Sequence, residues 1–142
     1  MDILKIISFN IADEEYGFDI SCVQSIERLL PITRVPNCRE YVKGVLNLRG
    51  TVIPVVDLGS RIGLGQISYT DKTRIVITKV ESTEIGYLVE KTNDVMTTDW
   101  KSIETPPSNQ VDYIEGIAKF NGRLISLLDV TKLIVETADE SR

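Results

Sequence analysis

Two aspartates occupy matching positions in the chain and are the first candidates for acid–base chemistry. Asp57 and Asp129 each end an apolar run and lie 72 positions apart. A pair of carboxylates can serve as general acid and general base. Each aspartate, however, comes directly before a segment with the pattern of a short helix, where its side chain would accept a hydrogen bond from an unpaired backbone N–H. Because a structural device is duplicated together with a fold, we interpret both as helix caps and predict no catalytic residue.

Other residue types that support catalysis or metal binding are scarce. The absence of histidine removes the commonest general base near neutral pH and the commonest transition-metal ligand. Cys22 and Cys38 belong to no redox or zinc-ligand motif, which indicates structural thiols. Gly63 and Gly65 lack the Lys and Ser/Thr that a phosphate-binding P-loop requires. We therefore predict neither a metal nor a cofactor.

One arginine lies where a turn would favour asparagine. The segment "KFNGRLISLLD" carries Asn121-Gly122 between two apolar runs, the usual dipeptide of a type I′ hairpin turn. The matching segment "NLRGTVIPVVD" carries Arg49-Gly50 instead. A type I′ turn puts both central residues at positive φ, which disfavours a long non-glycine residue by roughly 1 kcal/mol.

Two explanations of Arg49 are open. One is neutral drift at an exposed turn, and the other is a guanidinium placed to bind the carboxylates of a partner. The segment from Arg28 to Arg49 contains five basic residues and one acidic residue, Glu40. A basic segment on a protein of net charge −5 favours the second explanation and an acidic partner.

An internal repeat organises the elements that must position these residues. Residues 41–58 align without gaps on residues 113–130, and the identical pairs are Tyr41/Tyr113, Gly44/Gly116, Gly50/Gly122, Ile53/Ile125 and Asp57/Asp129. Upstream, "EEYGFDI" resembles "TEIGYLV" at an offset of 69 positions. The pattern predicts two halves, roughly residues 1–68 and 69–142, within a single domain, with residues 60–72 as the crossing segment between them.

Short apolar runs with polar turns predict an all-β fold. The segments "ILKIISFNI", "YGFDI", "RIVITKV", "EIGYLVEK", "TVIPVVDL" and "RLISLLDV" read as strands. Because proline cannot donate to a sheet ladder, we expect Pro54 on an edge strand or at a bulge. Short helices are expected at "LGSRIG" and "VTKLIVE", after the two aspartates. Strands of this length and spacing favour two small five-stranded barrels packed together.

Composition limits the classes of function. The chain of 142 residues contains 26% charged and 42% hydrophobic residues, which is typical of a globular domain. The acidic net charge argues against nucleic acid and anionic membrane as partners. Neither a signal-peptide pattern nor a membrane-spanning apolar run is present. We therefore expect a cytoplasmic protein that does not insert into the membrane.

The same segments resemble CheW, the bacterial chemotaxis coupling-protein family. "EEYGFDISCVQSIERL", "TRVPNCREYVKGVLNLRGTVIPVVDL", "DKTRIVI" and "YIEGIAKFNGRLISLLDV" follow the order and spacing of that family over nearly the whole chain. The resemblance implies two intertwined SH3-like barrels without an active site. It also implies two partners, the cytoplasmic tips of methyl-accepting chemotaxis receptors and the regulatory domain of the histidine kinase CheA, and a place in receptor arrays at the inner face of the membrane.

The resemblance also implies roles for individual residues. Arg49 corresponds to the receptor-contacting arginine of the family, and the apolar positions of the receptor groove correspond to Val23, Ile26 and Ile75. The kinase-facing side of the first barrel corresponds to Val35, Tyr41, Val42 and Gly44. Where many relatives have an acidic residue, this chain has Ser25, so a carboxylate partner for Arg49 must come from Glu27 or Glu90.

Three alternatives remain at the level of sequence. The chain could serve another chemosensory array, such as one for pilus motility. It could be a small enzyme on a double barrel, although its carboxylates and two thiols form no recognisable constellation. A nucleic-acid-binding barrel is the third alternative, but that function expects a basic stripe interleaved with aromatic residues.

Overall fold

The computed structural model describes residues 2–105 and 113–134. Within these residues the fold is almost entirely β, which confirms the predicted all-β class. The strands are β1 Ile3–Ile11, β2 Glu14–Asp19, β3 Val23–Arg28, β4 Val42–Leu48, β5 Thr51–Asp57, β6 Arg74–Val80, β7 Thr83–Val89, β8 Lys91–Asp99, β9 Ile114–Phe120 and β10 Arg123–Leu128. The helices are short: α1 Leu58–Arg61, 3₁₀ turns at Ile20–Cys22 and Trp100–Ser102, and a helical segment at residues 130–134. The last two residues of the expected helix "VTKLIVE" lie outside the described residues.

Ten strands form two five-stranded sheets of the same plan. Sheet A has the order β8-β1-β2-β10-β9 and sheet B the order β3-β6-β7-β5-β4. The orders become identical when the hairpin β1–β2 is matched with β6–β7, and β3, β4 and β5 are matched with β8, β9 and β10. Each sheet therefore combines strands from before and after the crossing segment at residues 60–72, as strand exchange between halves requires.

Parallel pairs join the two hairpins of each sheet. In sheet A, β10 pairs with β2 through Ser126↔Tyr16 and Leu127↔Gly17. In sheet B, β5 pairs with β7 and the pairing begins only at Val55↔Gly86. Since the rest of each sheet is antiparallel, this one parallel contact closes a connection between segments distant in sequence.

The expectation that Pro54 lies on an edge strand or at a bulge is wrong. Strand β5 lies inside sheet B, between β4 and β7. The register shift of the β4–β5 pair lies further along, between Val42 and Gly44. Pro54 is tolerated because it stands opposite Val45, whose own N–H and C=O bond Thr33 instead. On the other side, the β7 pairing begins one residue after the proline, so its missing N–H breaks no ladder bond.

Apolar side chains from both sheets form a larger shared cluster, and a second, smaller cluster lies in sheet A. The larger cluster includes Phe9, Phe18 and Tyr87, and the Phe18 ring lies edge-on to both others, with centroids 4.9 and 5.5 Å away. A smaller cluster belongs to sheet A alone and contains Leu4, Ile6, Met96, Ala118, Ile125 and Leu127. Aromatic contacts of this geometry stabilise packing beyond the burial of their area.

A buried arginine lies at the junction of the halves. The guanidinium of Arg61 is 5.3 Å from the ring centroid of Tyr41 and 5.7 Å from that of Tyr113, which are the paired tyrosines of the repeat. Its Nη2 also donates to the carbonyl of Leu133, the residue at the equivalent position of the second half. The cation–π contacts therefore link both copies of the repeat around one side chain. In the described part of the chain, no helix is long and apolar enough to span a bilayer.

Candidate functional site

The turn that carries Arg49 has the backbone geometry predicted from its counterpart. Arg49 has φ of 53° and Gly50 of 86°, and Asn121 and Gly122 have 51° and 81°. Both copies thus place two successive residues in the left-handed region, as a type I′ turn requires. In the first copy the side chain of Asn47 accepts a hydrogen bond of 3.0 Å from the N–H of Gly50. This bond supports a turn that lacks asparagine at its first central position.

The side chain of Arg49 is exposed and pairs with one carboxylate. Its Nη2 lies 3.6 Å from Oε2 of Glu27, and the two side chains are 71% and 18% exposed. Glu27 is therefore the carboxylate that pairs with Arg49 in place of an acidic residue at position 25. The second candidate, Glu90, instead accepts hydrogen bonds from the N–H groups of Ala12 and Ser68. Because the Arg49 side chain is mostly exposed although Glu27 is not, the guanidinium fork remains accessible to a partner's carboxylate.

Strand β3 carries Glu27 and the predicted apolar groove residues Val23 and Ile26, and a bulge in this strand determines which face of the sheet each side chain occupies. The β3–β6 register runs Val23↔Thr78, Ile26↔Val76 and Glu27↔Ile75, with a shift after Val23. Cross-strand partners share a sheet face, so the bulge places Val23 and Ile26 on one face. Ile26 is 41% exposed there, and Val23 is partly buried against the larger core cluster.

The expectation that Ile75 lines this surface is wrong. Ile75 pairs with Glu27 and therefore lies on the face opposite to Ile26. It has 0% exposure and packs in the larger core cluster. Strand β6 is buried on both faces from residue 75 to residue 78, whereas β3 is an edge strand. Between residues 75 and 78, strand β6 therefore offers no side chain to a partner, whereas β3 does.

Of the four residues predicted to face the kinase, two line a depression at the protein surface and two do not. Val35 is 41% exposed and, with the half-buried Val42, lines an open depression of about 540 Å³. The remaining lining residues are Arg34, Pro36, Asn37, Cys38, Arg39, Glu40 and Lys43. Three cations and one carboxylate in this set make the depression basic.

Tyr41 and Gly44 do not line the depression, but they fix the backbone of the segment that does. The Tyr41 ring is half-buried and stacks on Arg61. Gly44 is buried with φ of 144°, and a Cβ there would stand 2.1 Å from the carbonyl oxygen of Thr33. The expectation that Gly44 belongs to a contact surface is wrong, because its position is required for close approach of two backbone segments.

The repeated aspartates cap helices, as their positions predicted. Asp57 Oδ1 accepts from the N–H of Ser60 at 3.1 Å at the start of α1. Asp129 accepts from the N–H of Lys132 at 3.3 Å, before the helical residues 130–134. Asp57 is fully buried and both of its oxygens also accept from the N–H of Ile67, at 3.3 and 3.2 Å. It therefore fixes the crossing segment as well as the helix.

A polar cluster inside sheet A was not found from the sequence. Arg123 on β10 forms an ion pair with Glu15 on β2, and its Nε donates to Oε1 at 3.1 Å. Glu15 also accepts from the hydroxyl of Ser8, and Asn93 donates to Ser8 and to Asn10. The hydrogen bonds from Arg123 lower the pKa of the Glu15 carboxyl, although partial burial acts in the opposite direction.

The signal for this cluster was present but indirect. Ser8 and Asn10 are the equivalents of Ile77 and Lys79 in sheet B, so a polar residue replaces an apolar one at a core-facing position of β1. Arg123 lies 108 positions from Glu15, and only the exchange of strands between halves brings them together. Among the described residues, no group of three or more Cys, Asp or Glu side chains is arranged to hold a metal ion.

Comparison with known proteins assigns this arrangement to a family. A family model described as "CheW-like domain" matches residues 5–138. The chain belongs to the CheW-like domain family. It is 38% identical over 141 residues to the chemotaxis protein CheW of Bacillus subtilis, covering 96% of this chain and 90% of that protein. It is 32% identical to the CheW of Thermotoga maritima, covering 93% and 88%.

A solved structure shares the fold. The scaffolding protein TtCheW from Thermoanaerobacter tengcongensis superposes with a TM-score of 0.83 at 35% identity, covering 88% of each chain. The relatives are named as chemotaxis and scaffolding proteins, and none of these names denotes an enzyme. For this chain, the comparisons show membership of the CheW-like domain family.

Proposed function

We propose that this chain is a non-catalytic adaptor that couples the cytoplasmic tips of chemotaxis receptors to the regulatory domain of the histidine kinase CheA. The observation that carries the proposal is Arg49. Its guanidinium is 71% exposed on a turn whose backbone favours asparagine, in a chain that belongs to the CheW-like family. An arginine at a position where the turn favours asparagine, with its charged end in solvent, suits a contact with an acidic partner.

The receptor would bind along the edge strand β3. Val23 and Ile26 supply apolar contacts on one face of this strand. Arg49, which pairs with Glu27 on the opposite face, supplies a charge-assisted contact. An apolar stripe flanked by a cation is suited to a helix that carries both an apolar face and carboxylates. Receptor tips of this chemistry would bring the adaptor to the inner face of the membrane from the cytoplasm.

The kinase would bind at the basic depression before β4. Val35 and Val42 provide its apolar surface, and Arg34 and Lys43 lie at its edge. Tyr41 and Gly44 would act there only indirectly, by fixing the backbone that carries these residues. Two separate surfaces on one protein are what simultaneous binding of receptor and kinase requires.

Co-sedimentation with receptor-bearing membranes tests the proposal. We expect the chain to sediment with membranes that carry receptors and to remain in solution with receptor-free membranes. We expect CheA to sediment efficiently only when the chain is added. Equal recruitment of the kinase with and without the chain, or failure of the chain to sediment with receptors from its own cell, would refute the coupling function.

A further inference from the structure

Two arginines face each other directly across strands β3 and β6. Arg28, the last residue of β3, is the Cα partner of Arg74, the first residue of β6. Residues directly opposite in an antiparallel pair share a face and have neighbouring Cβ atoms, and like charges in such a pair are destabilising. A like-charged pair at this position therefore needs an explanation beyond the fold.

The described residues provide no carboxylate that pairs with either guanidinium. Arg74 Nη1 donates to the backbone carbonyls of Asp71 and Thr73, at 2.9 and 2.8 Å. These bonds fix its direction without neutralising its charge. Arg28 is exposed, and both arginines line an open depression of about 430 Å³ together with Leu29, Thr70, Asp71 and Thr73. Two cations and one carboxylate give this depression a positive surplus.

The arginine pair continues the apolar surface of the edge strand. The register Val23↔Thr78, Ile26↔Val76, Arg28↔Arg74 places all three β3 residues on one face. Leu29, which follows directly, is 44% exposed. At about 3.3 Å per strand residue, Arg28 lies roughly 7 Å beyond Ile26. The same distance corresponds to four or five residues of an α-helix at 1.5 Å per residue.

We propose that Arg28 and Arg74 form an anion-binding clamp at the end of the receptor-docking surface. Its occupant is a carboxylate of the receptor helix, four or five residues along that helix from the apolar side chain that contacts Ile26. This inference rests on the proposed function and adds a second cationic contact, on the face of β3 opposite to the Glu27–Arg49 pair. Residues 23–89 contain nine Lys and Arg against six Asp and Glu, whereas the rest of the chain contains seven against fifteen. This surplus favours an acidic partner on sheet B.

Receptor affinity as a function of salt concentration tests the clamp. In the double variant Arg28→Gln/Arg74→Gln we expect the dissociation constant for receptor-bearing membranes to rise about five- to tenfold near 0.1 M salt. We also expect a weaker dependence of affinity on salt, since two screened contacts are removed. The variant Arg28→Lys/Arg74→Lys retains the charge and should lose less. Arg34→Gln is the matched control, because it removes one exposed arginine from the proposed kinase side and should bind receptor like wild type.

The outcomes separate the clamp from the function on which it rests. If wild type binds receptors and the double Gln variant binds equally well, the clamp is refuted while the coupling function stands. If wild type does not bind receptors, both fail. Melting of the free proteins gives an independent reading: removal of the like-charged pair should leave the melting temperature unchanged or raise it by about 1 °C. A fall of several degrees would show that the pair serves the fold, and would refute the clamp.

Discussion

At the scale of single residues, Arg49 combines an unfavourable backbone position with an accessible charge. Its φ of 53° is close to the 51° that Asn121 adopts at the equivalent turn, and the guanidinium that pairs with Glu27 is itself mostly exposed. Exposed pairs contribute about 0–1 kcal/mol to folding, which is no more than the turn preference removes. Arg49 therefore adds little to the stability of the fold, which is consistent with the proposed role in binding.

Replacement of Arg49 separates stability from binding. In Arg49→Asn we expect a melting temperature equal to or slightly above that of wild type, because asparagine suits the positive φ. We expect receptor binding to weaken by about 1–3 kcal/mol through loss of a charge-assisted contact. Binding to the kinase regulatory domain should not change. Arg49→Lys keeps the charge without the planar fork and should be intermediate. Wild-type receptor affinity in Arg49→Asn would identify the arginine as neutral drift.

The two capping aspartates differ in the number of backbone N–H groups whose hydrogen bonds they accept. Asp57→Ala should cost roughly 2–3 kcal/mol of unfolding free energy, because it removes a cap and also leaves the buried N–H of Ile67 without its acceptor. Asp129→Ala should cost roughly 1 kcal/mol, since Asp129 is half-buried and one cap bond is lost. Urea denaturation of both variants measures the difference. Equal losses would show that the Ile67 bonds contribute nothing.

At the scale of elements, the repeat predicted most strands and both helix caps, but not the direction of side chains on β3. Hairpins can be read from alternating apolar residues and turn dipeptides, and β1 and β6 begin and end where their sequences indicated. A single extra residue in β3, between Val23 and Ser25, reverses the face of everything that follows. The family resemblance implied that Ile75 lines the groove, whereas its pairing with Glu27 places it on the face opposite to Ile26.

Elements that come together only in the folded chain were missed for a related reason. The Arg123–Glu15 contact depends on the parallel pairing of β10 with β2, which no local pattern reveals. Strand β8, "KTNDVMTTD", is too polar to be recognised by periodicity alone. Its Asn93 nevertheless joins the polar cluster. Local sequence thus identifies hairpins, and the long-range strand exchange decides which side chains share a site.

The polar cluster makes sheet A sensitive to acid. Because the pKa of Glu15 is lowered in the folded state, its contribution to stability is fully present above the unfolded pKa of about 4.3. That contribution is lost as the pH falls through the folded pKa. Wild type should therefore lose more melting temperature than Glu15→Gln between about pH 5 and pH 3. Glu84→Gln, at the equivalent position of sheet B, is the control and should follow wild type. Parallel pH profiles for wild type and Glu15→Gln would contradict the assignment.

At the scale of the whole molecule, charge is divided along the sequence, whereas each sheet mixes strands from distant parts of the sequence. Basic residues are concentrated in the segment that forms sheet B, and acidic residues in the remainder. The strands are not segregated in this way, because each sheet takes strands from both sides of the crossing segment. Both proposed docking surfaces, β3 and the depression before β4, lie in the basic segment of residues 23–89, so we expect acidic partners at both.

Interlocking predicts that the two sheets unfold together. The apolar cluster of sheet A alone contains only six buried side chains among the described residues, too few for an independent domain of this size. Other side chains of sheet A pack in the larger cluster, where Phe18 of β2 contacts Tyr87 of β7. Trp100 packs against that small cluster, so its fluorescence reports sheet A. The near-ultraviolet circular dichroism of the tyrosines reports the larger cluster, which contains or contacts Tyr16, Tyr41, Tyr87 and Tyr113. We expect both signals to change in a single coincident thermal transition. If the tryptophan signal melts well before the tyrosine signal, sheet A is a separate folding unit and the exchange of strands does not couple the halves.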